Sequence, residues 1–566
     1  MAAAWLAACG PPDSRAAGVR EEPPAIHVRP VEAPPSGPAV LRGPDSAAVR
    51  ARIDSVFAPF DRPGSPGCVL AVMEAGEIVY GRGYGSADLA RGTPLTPASA
   101  FDGASMAKQF LTFGIALLAR EGKLSLDDPV QKHLPELPDY GATVTLRHLA
   151  HHTSGLRDAD ARWLSGQRIA DPSQLPGLSF PPGDRHMYDD TGYALLQRVI
   201  ERVSGQSWAR FARTRIFDPL GMTRSGFPED DPGPLPSRVR AYAPSGGGYR
   251  LRVSGADQGF TTTPEDLAKW DRNFYDARLG GPAVLRMMLE EGRLNSGETI
   301  PYALALHTEP YRGLRRVWHG GLAAGYRSQF MRYPDQRTSV LVMCNVFQVA
   351  EPNGLAERVT DIVLEDAIRR AEAQLPVARP REPVPAPTPA ERERLAAIYV
   401  SRAEQAIRPV RSHGDRLEMR QWITWHALQP LGGGRFRVHG QPLTLLFRLG
   451  PGGTRVLEEH WDGRRTPTIL EAVPEGSLPA AELDRYTGPY RSDELGTTWV
   501  LAREGGLLRV SEGPLGGLRL HPAGPDTFTD REYLLVVFRR DPAGRVAGFT
   551  AATPRIRNVE FSKRAR

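Results

Sequence analysis

A serine and a lysine three residues apart, in Ser105-Met106-Ala107-Lys108, stand at the start of a run that reads as a helix from Met106 to Glu121. Residues three apart share one helix face, so the hydroxyl and the amine meet there. A serine hydroxyl is a poor nucleophile until a base takes its proton. Lysine suits that task because its pKa falls readily on burial, whereas arginine stays charged. The cations of this chain are nearly all arginine, and lysine occurs only at 108, 123, 132, 269 and 563. A lysine where only lysine is chemically useful is therefore informative, even though S-x-x-K also arises by chance in long helices.

Such a nucleophile needs a proton shuttle, donors for an oxyanion and a wall that positions the substrate. Downstream, Tyr188-Asp189-Asp190 sets a tyrosine two residues before a carboxylate, just ahead of a second helical run from Tyr193 to Val203. A tyrosine serves as a base where nearby cations lower its pKa from about 10. Further on, His319-Gly320-Gly321 leads into a strand. Glycines there let a strand edge approach a substrate backbone, and the main-chain N–H just past them would complete an oxyanion hole with that of Ser105. Taken singly, Tyr188 reads as a helix-start aromatic and His319 as a packed, half-buried histidine. Taken in order, the three elements read as one site.

The elements that must position these residues are legible along the chain. Val69–Met73 and Ile78–Gly85 read as a hairpin, two strands are expected near 326–333 and 338–345, and a helix is expected over Gly354–Ala373. Strands at both ends with helices between them predict an α/β (α+β) domain over 47–373 whose terminal pieces share one sheet. A Pro/Ala-rich linker follows at 374–390. The remainder reads as short β runs punctuated by glycine, and it is duplicated, with copies over 391–475 and 476–566. Leu395-Ala-Ala-Ile-Tyr-Val-Ser-Arg answers Leu483-Asp-Arg-Tyr-Thr-Gly-Pro-Tyr-Arg, and Leu445-Leu446-Phe447-Arg448 answers Val536-Val537-Phe538-Arg539. Each copy is expected to be a small antiparallel barrel or half of a larger one. No Ser, His or Asp constellation in the tail demands chemistry, so packing and the screening of substrates are equal readings of it.

With 566 residues, 41% of them hydrophobic and 24% charged, the chain can bury several cores. Its +6 charge, from 71 basic and 65 acidic residues, is scattered, without Lys/Arg runs interleaved with aromatics, which argues against a nucleic-acid partner. Three cysteines rule out a disulfide scaffold. Cys68 and Cys344 lie in strand-like apolar runs and read as buried free thiols. Leu6-Ala7-Ala8-Cys9 is lipobox-like and heads a Pro/Ala/Ser/Glu-rich tether over 1–46, but no positive n-region precedes it and the apolar segment is short. Two readings stand: an export signal whose start lies upstream, with a periplasmic or extracytoplasmic location and a membrane tether through Cys9 as the expectation, or an ordinary Ala-rich disordered end. His148, His151 and His152 lack a carboxylate at ligand spacing, so no metal is predicted. No phosphate loop or dinucleotide fingerprint is present, and no cofactor is implied.

Together these motifs resemble the serine β-lactamase and penicillin-recognising superfamily, on the class C side with D-aminopeptidases, DD-peptidases and esterases. Its S-x-x-K, Y-x-N and K/H-x-G elements fall at Ser105/Lys108, Tyr188/Asp190 and His319/Gly321. Further similar text lies at Leu146–Leu156, Asp218–Met222 and Gly259–Leu267. The resemblance covers about residues 48–372. It implies a mixed helix and antiparallel-sheet sandwich, followed by two small barrels like those appended to D-aminopeptidases. It also implies acyl transfer in which Ser105 attacks an amide or ester, Lys108 and Tyr188 move the proton, and the N–H groups of Ser105 and Leu322 hold the oxyanion. His319 and Gly321 would shape the substrate edge, and the substrate would be a small molecule or peptide, with D-amino-acid peptides or esters first and β-lactams weakly. Two departures matter. The family's Asn is Asp190 here, an acceptor that attracts the lysine's charge and opposes its free-base form. His319 replaces a lysine and removes a fixed cation. If Asp190 has cost the site its chemistry, the alternative is a non-catalytic binding or sensor protein.

Overall fold

The computed structural model describes residues 46–564, apart from 63, 167–170, 228–237, 253–258, 324, 348–350, 375–383, 422–423, 439–442, 462–465 and 474–475. The lipobox-like Cys9, its tether and most of the expected linker lie outside the described residues.

Helix α1 (Ser46–Phe57) leads into strands β1 (Cys68–Glu74) and β2 (Glu77–Tyr84). The turn between them puts Ala75 and Gly76 at φ 50° and 82°, the geometry that matches a two-residue hairpin turn to the twist of its strands. The central helix α2 (Ala107–Arg120) and the second site helix α3 (Thr191–Ser204) follow. The sheet is completed by β3 (Val317–Ala323), β4 (Tyr326–Tyr333) and β5 (Thr338–Cys344). Its order is β2-β1-β5-β4-β3, antiparallel throughout, so the first and last segments pair at its centre and β3 is an edge.

Both central strands are buried on both faces, and their alternation divides the domain into two cores. Val69, Ala71, Met73, Leu341 and Met343 face the large core around α2 and α3. Cys68, Leu70, Val72, Val340, Val342 and Cys344 face a second core against α1 and the C-terminal helices. Those helices are α4 (Pro352–Val363) and α5 (Glu365–Glu372), where one helix over Gly354–Ala373 was expected. Leu364, at φ −114° and ψ 21°, breaks the run, and the adjacent Val363 and Leu364 both remain in the second core. α2 is buried from Lys108 through Leu118, with Phe110 packed against Phe217, Phe260 and Trp270, as expected of a helix apolar all round.

The free-thiol reading of the cysteines is corrected by the register. Cys68 and Cys344 are direct partners across β1 and β5, 4.0 Å apart at Cα, and form a disulfide. Directly opposed residues bring the two sulfurs within bonding reach, and no local sequence signal reports that pairing across 276 residues.

The tail forms two closed eight-stranded antiparallel barrels, the first from Ala397–Ser401 to Thr468–Ala472 and the second from Gly488–Ser492 to Ile556–Lys563. Closure removes the sheet edges that short strands would otherwise leave unpaired. The second barrel docks on the first domain. Arg157, buried, makes a bidentate pair with Glu494 at 2.7 and 2.9 Å, and Trp499 Nε1 donates to the Leu164 carbonyl. Ala161 and Leu164 extend that barrel's own core. Among the described residues no helix is long and apolar enough to cross a membrane.

Candidate active site

Ser105 is held on a tight turn before α2. Gly103 N donates to Phe260 O at 2.7 Å, and Ala104 N donates to the Asp102 carboxylate at 2.8 Å. Ala104 adopts φ 47°, a left-handed conformation that costs a non-glycine residue on the order of 1 kcal/mol and persists only where its surroundings impose it. Here Asp102 does so, itself anchored by Arg238.

One turn on, Lys108 Nζ lies 3.4 Å from Ser105 Oγ and 2.6 Å from Asp190 Oδ1, with 9% of its side chain exposed. The rings of Tyr188 and Tyr193 stand 4.9 and 5.2 Å from the ammonium. Burial acts to lower the Lys108 pKa, but the Asp190 charge outweighs it and holds the amine above its ordinary value. Burial also raises Tyr188, against the field of Lys108. The resting site therefore carries an ammonium and a neutral phenol.

Asp190 is free to face Lys108 because its neighbour caps the helix: Asp189 Oδ1 accepts from Gly192 N at 2.5 Å, the kind of bond that satisfies a first-turn N–H. Half of the Asp190 side chain is open to the cavity whose walls surround it. Its second oxygen is taken by Arg555 Nη2 at 2.6 Å, and the same nitrogen is 2.5 Å from Asp158 Oδ2. Burial would raise the Asp190 carboxyl, but Lys108 and Arg555 hold it far below the usual range, whereas burial pushes Asp158 and Asp189 up to about 7. Arg555 comes from the last hairpin of the second barrel, between the strands Val546–Thr553 and Ile556–Lys563. The tail thus supplies a charged residue to the site, which sequence reading did not find: one arginine in a turn, 365 residues beyond its partner, leaves no local signal.

His152 and Tyr302 were also missed. His152 packs against Tyr188, Tyr193 and Tyr302, with ring centroids 4.2, 4.8 and 5.0 Å away. Its Nδ1 accepts from Asp189 N at 3.2 Å, which leaves Nε2 to donate to the Tyr302 hydroxyl at 3.1 Å. Tyr302 then donates to His319 Nε2 at 3.4 Å, and His319 Nδ1 donates to Gly320 O at 2.6 Å. These tautomers are assigned from the network. Burial lowers both imidazoles well below their ordinary pKa, with Lys108 adding to the effect at His152 and His307 at His319. His319 is therefore a neutral, oriented wall rather than a cation. His148 and His151 serve local structure, His148 accepting from the backbone of Thr145 and His151 bonding the carbonyls of Arg147 and Glu290.

β3 brings the third element alongside. Gly321 pairs with Ser328, and a Cβ built on it would collide with the Gly103 carbonyl, in the turn that carries Ser105. A side chain there would push the edge strand and the serine turn apart. Gly321→Ala is expected to lower kcat about 100-fold, the cost of misplacing reacting groups by about 1 Å, with kcat compared against the melting temperature as the check. Leu322, the next residue, is exposed at the cavity.

Ser105, Tyr188, Asp190, His319, Gly321 and Leu322 all line one cavity of about 770 Å³, with Lys108 beneath it. Both barrels contribute to the cavity wall, the first through Glu404, Arg408 and Trp461, the second through Tyr533, Arg555 and Arg557. Every residue expected of the site is thus brought together. Among the described residues no group of three His, Cys, Asp or Glu side chains stands at metal-binding distance.

Residues 53–364 match the family model described as Beta-lactamase. The chain is 34% identical over 314 residues to penicillin-binding protein 4* of Bacillus subtilis, covering 49% of this chain and 68% of that protein. It is 26% identical over 549 residues to a D-aminopeptidase of Brucella canis, covering 88% of this chain and 96% of the relative, so that likeness extends beyond the first domain into the duplicated tail. Among solved structures it is similar in fold to the octameric penicillin-binding protein homologue from Pyrococcus abyssi, with 23% identity, a TM-score of 0.50, and coverage of 75% of this chain and all of that one.

Proposed function

Because the chain belongs to the beta-lactamase family, we propose that it is a serine hydrolase that cleaves amide bonds through an acyl-enzyme, with peptides or amides of D-amino acids as its leading substrates. The observation that carries this reading is the Ser105–Lys108 contact at one wall of the cavity, with Tyr188 against the ammonium. The D-amino-acid class is supported by the D-aminopeptidase relative, whose likeness extends beyond the first domain into the duplicated tail.

The reacting form carries one proton fewer than the resting site. In it the Lys108–Tyr188 unit takes the proton of Ser105 as Oγ attacks the carbonyl. The N–H groups of Ser105 and Leu322 hold the oxyanion. Tyr188 returns the proton to the leaving amine as the C–N bond breaks, and water, activated by the same unit, then cleaves the ester to release the acid and restore Ser105. Asp190, fixed by Arg555, orients the lysine. His319 and Gly321 form the edge along which the substrate lies. Esters are handled by the same steps with an alcohol as leaving group. A site outside the reducing cytoplasm is part of this proposal, supported by the Cys68–Cys344 bridge and the lipobox-like Cys9.

The test is to incubate the protein with D-alanyl and L-alanyl nitroanilides and a nitrophenyl ester while following product release and intact mass. Release from the D-anilide ahead of its L-enantiomer, with a transient adduct on Ser105, is expected. No adduct and no release from a folded protein would favour the binding or sensor protein, the reading to which the Lys108–Asp190 ion pair lends its weight.

A further inference from the structure

The cavity that holds Ser105 has a cationic region outside the catalytic group. Arg185 of the first domain, Arg408 of the first barrel and Arg557 of the second all line it. Two carboxylates accompany these three guanidiniums. Glu404 Oε2 alone serves both Arg185 Nη1 and Arg557 Nη1, the latter at 3.4 Å, while Glu459 forms a bidentate pair with Arg408. Arg557 is the least compensated: its Nε is buried without a hydrogen-bond partner, and Glu404 is its one ion-pair partner among the described residues. Burial lowers its pKa to about 10, with the fields of Arg185 and Arg408 adding to the effect against Glu404. A guanidinium held in a largely buried place beside two others is stabilised by an incoming anion, and a planar carboxylate fits its fork.

The position bears on the reaction. Arg557 follows Arg555 by two residues, a span of about 7 Å along an extended chain. Arg555 contacts Asp190, which contacts Lys108. The cationic group therefore lies within a few residues' reach of the scissile bond. The C-terminal carboxylate of a peptide belongs to its leaving-group side.

We propose that Arg185, Arg408 and Arg557 form a carboxylate subsite that receives the C-terminal carboxylate of a short D-peptide whose scissile amide lies at Ser105. The inference rests on the hydrolase reading for the direction of the peptide. The subsite is assembled from three separate parts of the chain and is complete only when both barrels are in place. It makes peptides with a free C-terminus better ligands than their amides, at the length that spans Ser105 to Arg557.

Binding tests this apart from turnover. Titration calorimetry on the full-length Ser105→Ala protein would use D-alanine oligomers of two to five residues, each as free acid and as C-terminal amide. The free acid of one length is expected to bind at least about tenfold tighter than its amide, as charged hydrogen bonds allow. Arg557→Gln in that background should erase the difference and leave amide affinity unchanged, with Arg557→Lys restoring part of it. Arg408→Gln serves equally if Arg557→Gln does not fold. Equal binding of acid and amide at every length overturns the proposal, as does an Arg557→Gln loss shared by both ligands. Recovery of affinity by an amide carrying a D-glutamyl side chain would assign the subsite to acidic side chains and overturn the terminal assignment. If the acid preference holds while the wild-type protein turns over neither anilide nor ester, the subsite stands and the hydrolase reading fails.

Discussion

Turnover of a D-alanyl anilide by Ser105→Ala is expected to fall by on the order of 10⁶ in kcat, with no acyl adduct and no change in fold. The size of the loss follows from where Ser105 stands. It is the group that forms the covalent bond, and its loss leaves Lys108 and Tyr188 with no hydroxyl to activate. The side chain carries little of the structure: it caps no helix, and its contact with Lys108 is a long 3.4 Å. The free energy of unfolding should therefore change by no more than a neutral surface substitution does, about 0.5 kcal/mol. Adding Lys108→Ala to Ser105→Ala should cost almost nothing further, because residues acting as one unit are not additive. Turnover in Ser105→Ala within tenfold of the wild type would remove Ser105 from the mechanism.

Lys108→Ala comes second, with an expected loss of roughly 10²- to 10⁴-fold in kcat/KM, the contribution of a positioned base. Its signature lies in the pH profile. Asp190 stabilises the ammonium, so the free amine gains population only as pH rises, and wild-type kcat/KM should climb toward alkaline pH. Asp190→Asn removes the negative neighbour, lowers the Lys108 pKa and moves that rising limb to lower pH by about 1–3 units, the range an adjacent opposite charge commands. Arg555 keeps Asp158 as a partner in that variant, so the change does not strand a guanidinium. In Lys108→Ala the limb should disappear. A limb that stays in place in Asp190→Asn would mean that another group sets it.

Much of this site was legible because its parts are local. Ser105 and Lys108 are one helix turn apart, Tyr188 and Asp190 flank a helix start, and the glycines beside His319 mark a strand edge, so spacing alone brought each pair together. The barrels were legible for a related reason: short strands and turn glycines recur in two copies, and such strands gain by closing. What the sequence did not reveal depends on the folded arrangement. Arg555 reaches Asp190 only because Arg157 and Trp499 dock the second barrel against the first domain. The disulfide depends on a register between strands from opposite ends of the domain, and His152, one of three histidines in ordinary loop text, matters because three tyrosines from separate elements pack around it. Helix α4 ends at Leu364 because two adjacent residues both remain in the core, a demand that helical periodicity alone does not express.

The pairing of β1 with β5 also sets a timetable for the newborn chain. The first strand is made early, yet its central partner emerges some 270 residues later, a wait of tens of seconds at roughly 5–20 residues per second. Throughout that interval Cys68–Met73, apolar on both faces, is an unpaired edge able to join another chain. Truncated products that stop before Thr338 keep that edge permanently, so they should collect in aggregates, and chains refolding at high concentration should partition between the native sheet and intermolecular association.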